Sequence, residues 1–438
     1  MVNDLRDRYL YILHEWFQFE VPEFIERPFP QEYLDSDLII TISGVRRSGK
    51  TYLLYQISQY LRRKIPYQNI IFVTFEDDRL FPLTKRDLSE LIKVYRQNFE
   101  PNPDCKIYFL LDEIQYLPEW ETVLRRLYDK ERTIKFIITG STSKLMPSDI
   151  ATSLRGRTLS YKNFPFSFKE FLRAKGMSID TEEVEFSRRK DEIIRLLKEY
   201  MEYGGFPQVV REKAKTELLR EYYHSIMYRD VIERYSIRNI MVFENFLKLL
   251  VQCMASPVSY GKIADFLKSI GLRVSKNTLI EYFKYIKDAF FAFDVPIFSY
   301  KIKDQIQYPR KLYLIDTGLR NAITFRHSED RGRLAENIVF LELLRRNKEV
   351  YYWKDRAGYE VDFLIKEGLT IKEAIQVCWQ PADSKTFNRE TRSLIKVLKE
   401  FKLTSGYIIT EDLKEDKVIE GFTVKFRPLW LWLISEEV

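Results

Sequence analysis

Near the start of the chain, Gly44-Val45-Arg46-Arg47-Ser48-Gly49-Lys50-Thr51 has the residue types and spacing of a phosphate-binding loop. Glycines let such a loop wrap closely around phosphate oxygens, and its amide N–H groups, backed by the helix that follows, present positive potential. In this pattern Lys50 reaches the β- and γ-phosphates and Thr51 offers its hydroxyl to Mg²⁺. Gly44, Arg46, Arg47, Ser48, Gly49 and Tyr52 complete the expected nucleotide-binding set. A second constellation, Ile107-Tyr108-Phe109-Leu110-Leu111-Asp112-Glu113, is an apolar run ending in two acids. Asp112 is expected to hold Mg²⁺, mostly through its water shell, and Glu113 to orient and polarise the attacking water. Together the two motifs predict ATP hydrolysis with Mg²⁺ as cofactor, with Lys50 and Glu113 as catalytic residues.

Three further groups carry expectations. The run Ile134-Lys135-Phe136-Ile137-Ile138-Thr139-Gly140-Ser141 places Thr139 or Ser141 where either would sense the γ-phosphate; the competing role for Ser141 and Thr142 is a turn or helix cap. In Leu154-Arg155-Gly156-Arg157, either Arg157 or Arg155 would stabilise transition-state charge, in its own subunit or a neighbour's. The competing role is a solvated basic turn. Glu76-Asp77-Asp78 closes another apolar run, where acids either support the Mg²⁺ shell or solvate the loop.

These residues need a scaffold that brings strand ends together. Leu38–Ile42, Ile70–Phe75, Ile107–Leu111 and Ile134–Thr139 read as strands separated by helical stretches, the first helix opening at Lys50. Such alternation predicts a parallel sheet with helices on both faces. Residues 1–35 read as an aromatic-rich helix and a proline-punctuated connector. Charged helices follow over Glu182–Tyr200 and Lys213–Tyr235. Next come a helix-turn-helix pair over Tyr260–Leu267 and Ser275–Ile286, and an alternating ribbon over Phe290–Ile315. A third unit has a helix at Leu334–Arg346, strands near Val350–Trp353, Tyr359–Ile365 and Glu373–Val377, a helix at Arg389–Lys402 and a strand at Tyr407–Thr410.

The totals set bounds. A chain of 438 residues is expected to hold two to four domains. A net charge of +7 over that length permits a nucleic-acid or anionic-membrane partner without demanding one. Cys105, Cys253 and Cys378 are too scattered for a disulfide framework or a zinc site, which points to a reducing cytoplasm. No apolar run approaches the roughly 20 residues of a membrane span, and Asp4, Arg6, Asp7 and Arg8 interrupt any secretory h-region.

The quoted motifs, with Phe164-Pro165-Phe166-Ser167-Phe168-Lys169-Glu170-Phe171, Gly204-Gly205-Phe206-Pro207, Arg229-Asp230-Val231, the stretch from Lys311 to Leu319 and Glu360-Val361-Asp362-Phe363, resemble the AAA-like ATPases of archaea and bacteria. The resemblance covers nearly the whole chain after residue 35. It implies an α/β protein: an ASCE-type P-loop domain over 36–175, a helical lid over 176–238, a winged-helix-like domain over 239–318 and a restriction-endonuclease-like domain over 319–438. Nuclease chemistry in that last domain needs acids from a helix and two strands plus a lysine. Glu336 and Asp362 suit two places, but Gln376 and Cys378 stand where an acid and the lysine belong. In the middle region, Lys276, Asn277, Thr278 and Lys284, with Lys301, Lys303, Arg310 and Lys311 on the ribbon, are candidates to face DNA. The expected protein is a cytoplasmic ATPase, working as a homo-oligomer, that couples ATP hydrolysis to a DNA- or protein-binding module. The alternatives are a slow nucleotide switch with a protein-binding scaffold, and an ATP-regulated nuclease.

Overall fold

The computed structural model describes residues 5–141, 154, 156–177, 189–324, 331–380 and 384–435. The chain forms two compact units, Met1–Phe164 with Asp288–Phe290, and Pro165–Lys287 with Phe291–Val438. Arg155 and Thr142 lie outside the described residues.

In the first unit, helix α1 (Leu5–Gln18) buries Tyr9, Ile12, Leu13 and Trp16, a stripe at helical spacing. Strand β1 (Ile39–Ser43), helix α2 (Lys50–Arg62), β2 (Ile70–Thr74), α3 (Asp87–Asn98), β3 (Ile107–Asp112), α4 (Trp120–Lys130), β4 (Ile134–Gly140) and β5 (Thr158–Lys162) follow. All strand pairs are parallel, in the order β2-β3-β4-β1-β5. Parallel strands covered on both faces read as continuous apolar runs, and β1 and β4 are buried throughout. Successive residues supply opposite cores: Phe109, Leu111 and Ile138 pack on one face with α1, whereas Leu110 and Ile137 pack on the other with Leu53, Leu54 and Ile57 of α2. Because β4 lies between β1 and β3, the phosphate loop and the paired acids emerge on either side of the β4 end.

The second unit begins with α5 (Phe168–Ala174), opened by a capping box between Ser167 and Glu170. Then come α6 (Arg189–Tyr203), α7 (Lys215–Ser225) running into a π-helical stretch over Ile226–Glu233, α8 (Ile240–Gln252), β6 (Ser256–Pro257), α9 (Tyr260–Ser269), α10 (Lys276–Asp288), β7 (Ala292–Val295), α11 (Ile302–Gln307) and β8 (Lys311–Leu314). The helix pair forms as expected, with the Ser275 hydroxyl accepting from the Thr278 N–H at 3.1 Å. The expected ribbon is interrupted: β7 and β8 pair antiparallel, but α11 stands between them. Ser299 nucleates that helix, donating from Oγ to Asp304 at 2.9 Å and accepting the Gln305 amide at its carbonyl at 2.7 Å.

Helix α12 (Thr317–Ile323) is capped by Asp316, whose carboxylate accepts from Leu319 N at 3.1 Å and Gly205 N at 2.7 Å. Gly204 is required there: its φ is +73°, and a Cβ would lie 2.0 Å from the Asp316 carboxylate. The chain closes with α13 (Arg331–Arg345), β9 (Glu349–Lys354), β10 (Glu360–Glu367), β11 (Thr370–Val377), α14 (Ser384–Phe401), β12 (Ser405–Thr410), β13 (Glu415–Ile419), β14 (Phe422–Pro428) and α15 (Leu429–Ile434). Their sheet is mixed, in the order β13-β14-β12-β11-β10-β9. Strand β14 went unanticipated although buried Val424 and Phe426 alternate with Lys425 and Arg427, a period-two pattern that was legible. The α/β class is as expected. Among the described residues, no helix is long and apolar enough to cross a membrane.

Candidate active site

The site forms where β1, β3 and β4 end. Gly49 holds φ at +92° and opens α2, so the loop turns directly into the helix N-terminus. Lys50 is buried, and its ammonium donates to the Gly44 and Val45 carbonyls at 3.3 Å each. These bonds fold the lysine back over the loop. The Thr51 hydroxyl donates to Asp112 Oδ2 at 2.8 Å. Across β4, the Thr139 hydroxyl donates to the other Asp112 oxygen and accepts from Glu113 N at 3.0 Å. The Ser141 hydroxyl donates to Glu113 Oε2 at 3.3 Å, and Glu113 Oε1 stands 3.4 Å from the Lys50 ammonium.

Electrostatics divide the two acids. Burial and the neighbouring Glu113 push the Asp112 carboxyl up to about 6, against hydrogen bonds from Thr139 and Thr51. Burial acts on Glu113 too, but Lys50 and the Gln115 amide outweigh it and hold that carboxyl below its ordinary value. Thr51 and Asp112 suit a hard cation: a hydroxyl and a carboxylate oxygen 2.8 Å apart, both preferred by Mg²⁺. A dication beside Asp112 would favour its ionised form.

Residues 36–172 match the family described as an AAA domain. Over 413 residues the chain is 38% identical to an uncharacterized protein of Methanocaldococcus jannaschii, with 91% of this chain and 88% of that protein covered. The chain belongs to this AAA-domain family. A Haemophilus influenzae relative of the AAA-domain protein, also uncharacterized, is 31% identical over 404 residues, covering 91% of this chain and 96% of its own. Residues 194–330 and 331–431 match two domains of unknown function. Among solved structures, the Aeropyrum pernix ORC2 protein is 12% identical over 61% of this chain and 85% of its own, with a TM-score of 0.36. Cdc6p from Pyrobaculum aerophilum is 13% identical over 62% and 89%, with a TM-score of 0.28. Scores this low carry no functional information.

In the AAA-domain protein, Lys50, Thr51, Asp112, Glu113, Thr139 and Ser141 converge. Arg46 is drawn to Glu76 at 3.4 Å, Arg47 is an exposed loop residue at φ +67°, and Tyr52 is 44% exposed on α2. Asp77 caps a turn by accepting from Arg79 N at 3.0 Å, so its place is structural. Arg157 departs from the half of its expectation that placed it at the nucleotide of its own chain. Its carbonyl accepts from Ile39 N at 2.9 Å, at the far end of β1 from the loop, and its guanidinium pairs with Asp129 at 3.0 Å. A strand length separates it from Lys50, and in its own subunit it does not reach the nucleotide place. Lys311 is a second correction. Rather than facing a groove, it is buried among Glu336, Glu360 and Asp362. Arg310 is likewise engaged, pairing with Asp294 at 2.8 Å.

Three residues that sequence reasoning passed over support the site. The Arg27 guanidinium donates to the Ser48 carbonyl at 2.9 Å, Asn163 Oδ1 at 2.8 Å and the Phe164 carbonyl at 2.7 Å. The Asn163 amide also donates to the Ser48 carbonyl at 3.0 Å. A Cβ on Gly44 would lie 2.1 Å from the Asn163 carbonyl, so only glycine fits under this clamp. Gln115 donates to Glu113 Oε2 and lies 3.5 Å from the Ser141 hydroxyl. Its place just beyond the paired acids was the available signal.

Proposed function

We propose that this protein binds and hydrolyses ATP with Mg²⁺ at the ends of β1, β3 and β4, and couples the cycle to a DNA- or protein-binding module. The observation that carries this reading is the convergence of Lys50, Thr51, Asp112, Glu113, Thr139 and Ser141 from three strands. Lys50, already curled over the loop, meets the β- and γ-phosphates. Thr51 and Asp112 would hold Mg²⁺, which when bound neutralises phosphate charge. Glu113 orients the attacking water, and Ser141 and Thr139 relay the state of the γ-phosphate. Phosphate oxygens compete with Glu113 for Lys50, so nucleotide binding frees the carboxylate for its water. The working parts in this proposal are the ATPase domain over 36–175, a lid over 176–238, a winged-helix-like domain over 239–318 and a C-terminal domain over 319–438. The assembly works in the cytoplasm as a homo-oligomer, in which Arg157 or Arg155 would act from a neighbour.

A second reading is a slow nucleotide switch whose C-terminal domain is a protein-binding scaffold. The Lys50–Glu113 pair favours it, because it parks both catalytic groups together. Mg²⁺-dependent ATP turnover, measured with and without single- and double-stranded DNA, separates the two. Glu113→Gln is expected to keep nucleotide binding and lose turnover by about a hundredfold or more. Stimulation by DNA supports the coupled ATPase; slow turnover indifferent to DNA supports the switch. Glu113→Gln at the wild-type rate would remove the proposed role of that carboxylate.

A further inference from the structure

Outside the nucleotide place, a buried cluster of charges lies in the second unit, around Lys311. This side chain is 2% exposed, yet its ammonium lies 2.7 Å from Glu360 Oε1, 2.8 Å from Asp362 Oδ1 and 3.1 Å from Glu336 Oε1. The acids come from α13 and β10, and the lysine from β8, a strand of the three-stranded sheet. Tyr313, two residues along the same face of β8, donates to Glu336 Oε1 at 2.7 Å. The Asp362 carboxylate also accepts from Val377 N at 2.9 Å. The Gln376 carbonyl accepts from Asp362 N at 3.1 Å, and its amide donates to Glu390 at 2.7 Å.

Three carboxylate oxygens converge within 3.1 Å of one nitrogen, the hard donor set a divalent ion takes, although the acids would have to draw inward to reach metal–oxygen lengths of about 2.0–2.6 Å. The cluster is also short of positive charge. Lys311 brings one charge to three acids, and Lys354 adds only a rim contact to Glu360 at 2.9 Å. Carboxylates this deep cannot stay ionised without a cation, and the chain supplies its own. Among the described residues, no group of three or more His, Cys, Asp or Glu is placed to hold a metal ion, these three acids included while Lys311 stands between them.

We infer that Lys311 is the resident cation of a site built for a divalent metal, so that the C-terminal domain of this chain is metal-free and does not hydrolyse nucleic acid, and that removing the ammonium opens a Mg²⁺/Mn²⁺ site on Glu336, Glu360 and Asp362. Asp362 and Glu336, picked out by the sequence as nuclease-like, are thus neutralised by a lysine 51 and 25 residues away. The inference does not depend on whether the P-loop site hydrolyses ATP.

The test is a Mn²⁺ titration of the full, nucleotide-free chain, read by loss of the free aquo-ion EPR signal and by the thermal midpoint. Wild type is expected to show no Mn²⁺ binding that Asp362→Asn removes. Lys311→Met, close in volume but uncharged, is expected to have a lowered midpoint, to take up one additional Mn²⁺ and to recover by several degrees when it does. The same recovery is expected of Lys311→Ala and is absent from the double variant Lys311→Met/Asp362→Asn. Asp362-dependent Mn²⁺ binding by wild type would overturn the inference, since the lysine would then be displaced by metal. So would a Lys311→Met chain that gains no Mn²⁺, including one that stays unfolded in its presence.

Discussion

The resting site is organised by competition for one ammonium. Lys50 is shared between the Gly44 and Val45 carbonyls and Glu113, while Gln115 and Ser141 hold the other Glu113 oxygen. The Glu113 backbone sits at φ +49°, a left-handed conformation that a β-carbon disfavours. Thr139 over-determines it through the Glu113 N–H, so the strained residue points reproducibly into the site. Gln115 therefore positions Glu113 without touching the reacting atoms. Gln115→Ala removes one hydrogen bond to a charged group, worth about 1.5–3 kcal/mol. In steady-state kinetics kcat should fall about tenfold or more while KM for ATP changes little. An unchanged kcat would show that Gln115 only fills space. Lys50, Thr51, Asp112 and Glu113 were legible in the sequence because each lies in a contiguous motif. Gln115 was passed over, because only the turn at Ile114–Tyr116 folds its amide back onto Glu113.

Individual elements show how far the support extends. The connector between α1 and β1 is not a passive linker, because Arg27 on it satisfies three buried acceptors around the phosphate loop and β5. Arg27→Ala leaves those acceptors without that donor and is expected to cost about 2–4 kcal/mol. Both the thermal midpoint and nucleotide affinity should drop; loss of neither would deny the clamp. In the second unit, burial pushes the Asp294 carboxyl up, but Lys287 on α10 and Arg310 before β8 outweigh it and hold it below its ordinary value. A carboxyl depressed in the fold adds stability above its unfolded pKa of about 4, and that stability is lost as pH falls through the lower folded value. Lys287 and Arg310 are 37% and 45% exposed, so solvent screening limits the effect to about 1 kcal/mol. Asp294→Asn should lower stability at pH 7 in denaturant melts, and the gap should close below about pH 4. A gap that persists in acid would assign Asp294 a role other than its charge.

For the whole molecule, two compact units in one chain imply two unfolding events, each answering to its own ligands. In scanning calorimetry, Mg·ATP with Glu113→Gln should raise the transition of the unit containing residues 1–164. Lys311→Met should lower the other. A single transition moved equally by both would mean that the units unfold as one.

The sequence alone determined the α/β class of the first unit, four of its five strands (β5 went unanticipated), the helix pair, and the two motifs whose residues converge at the strand ends. These rest on local rules: apolar runs make covered parallel strands, and a glycine-bounded loop before a helix is defined within eight residues. Tertiary structure decided the rest. It carried Arg157 to the far end of β1, brought Arg27 to Asn163 across 136 residues, and put a helix inside the expected ribbon. It also turned Lys311, which by sequence was a surface base, into the cation of a buried acid cage. Burial is the physical reason. A charged side chain reads as solvated until the fold removes water from it, and only then does its nearest opposite charge, wherever it stands in the chain, determine what it does.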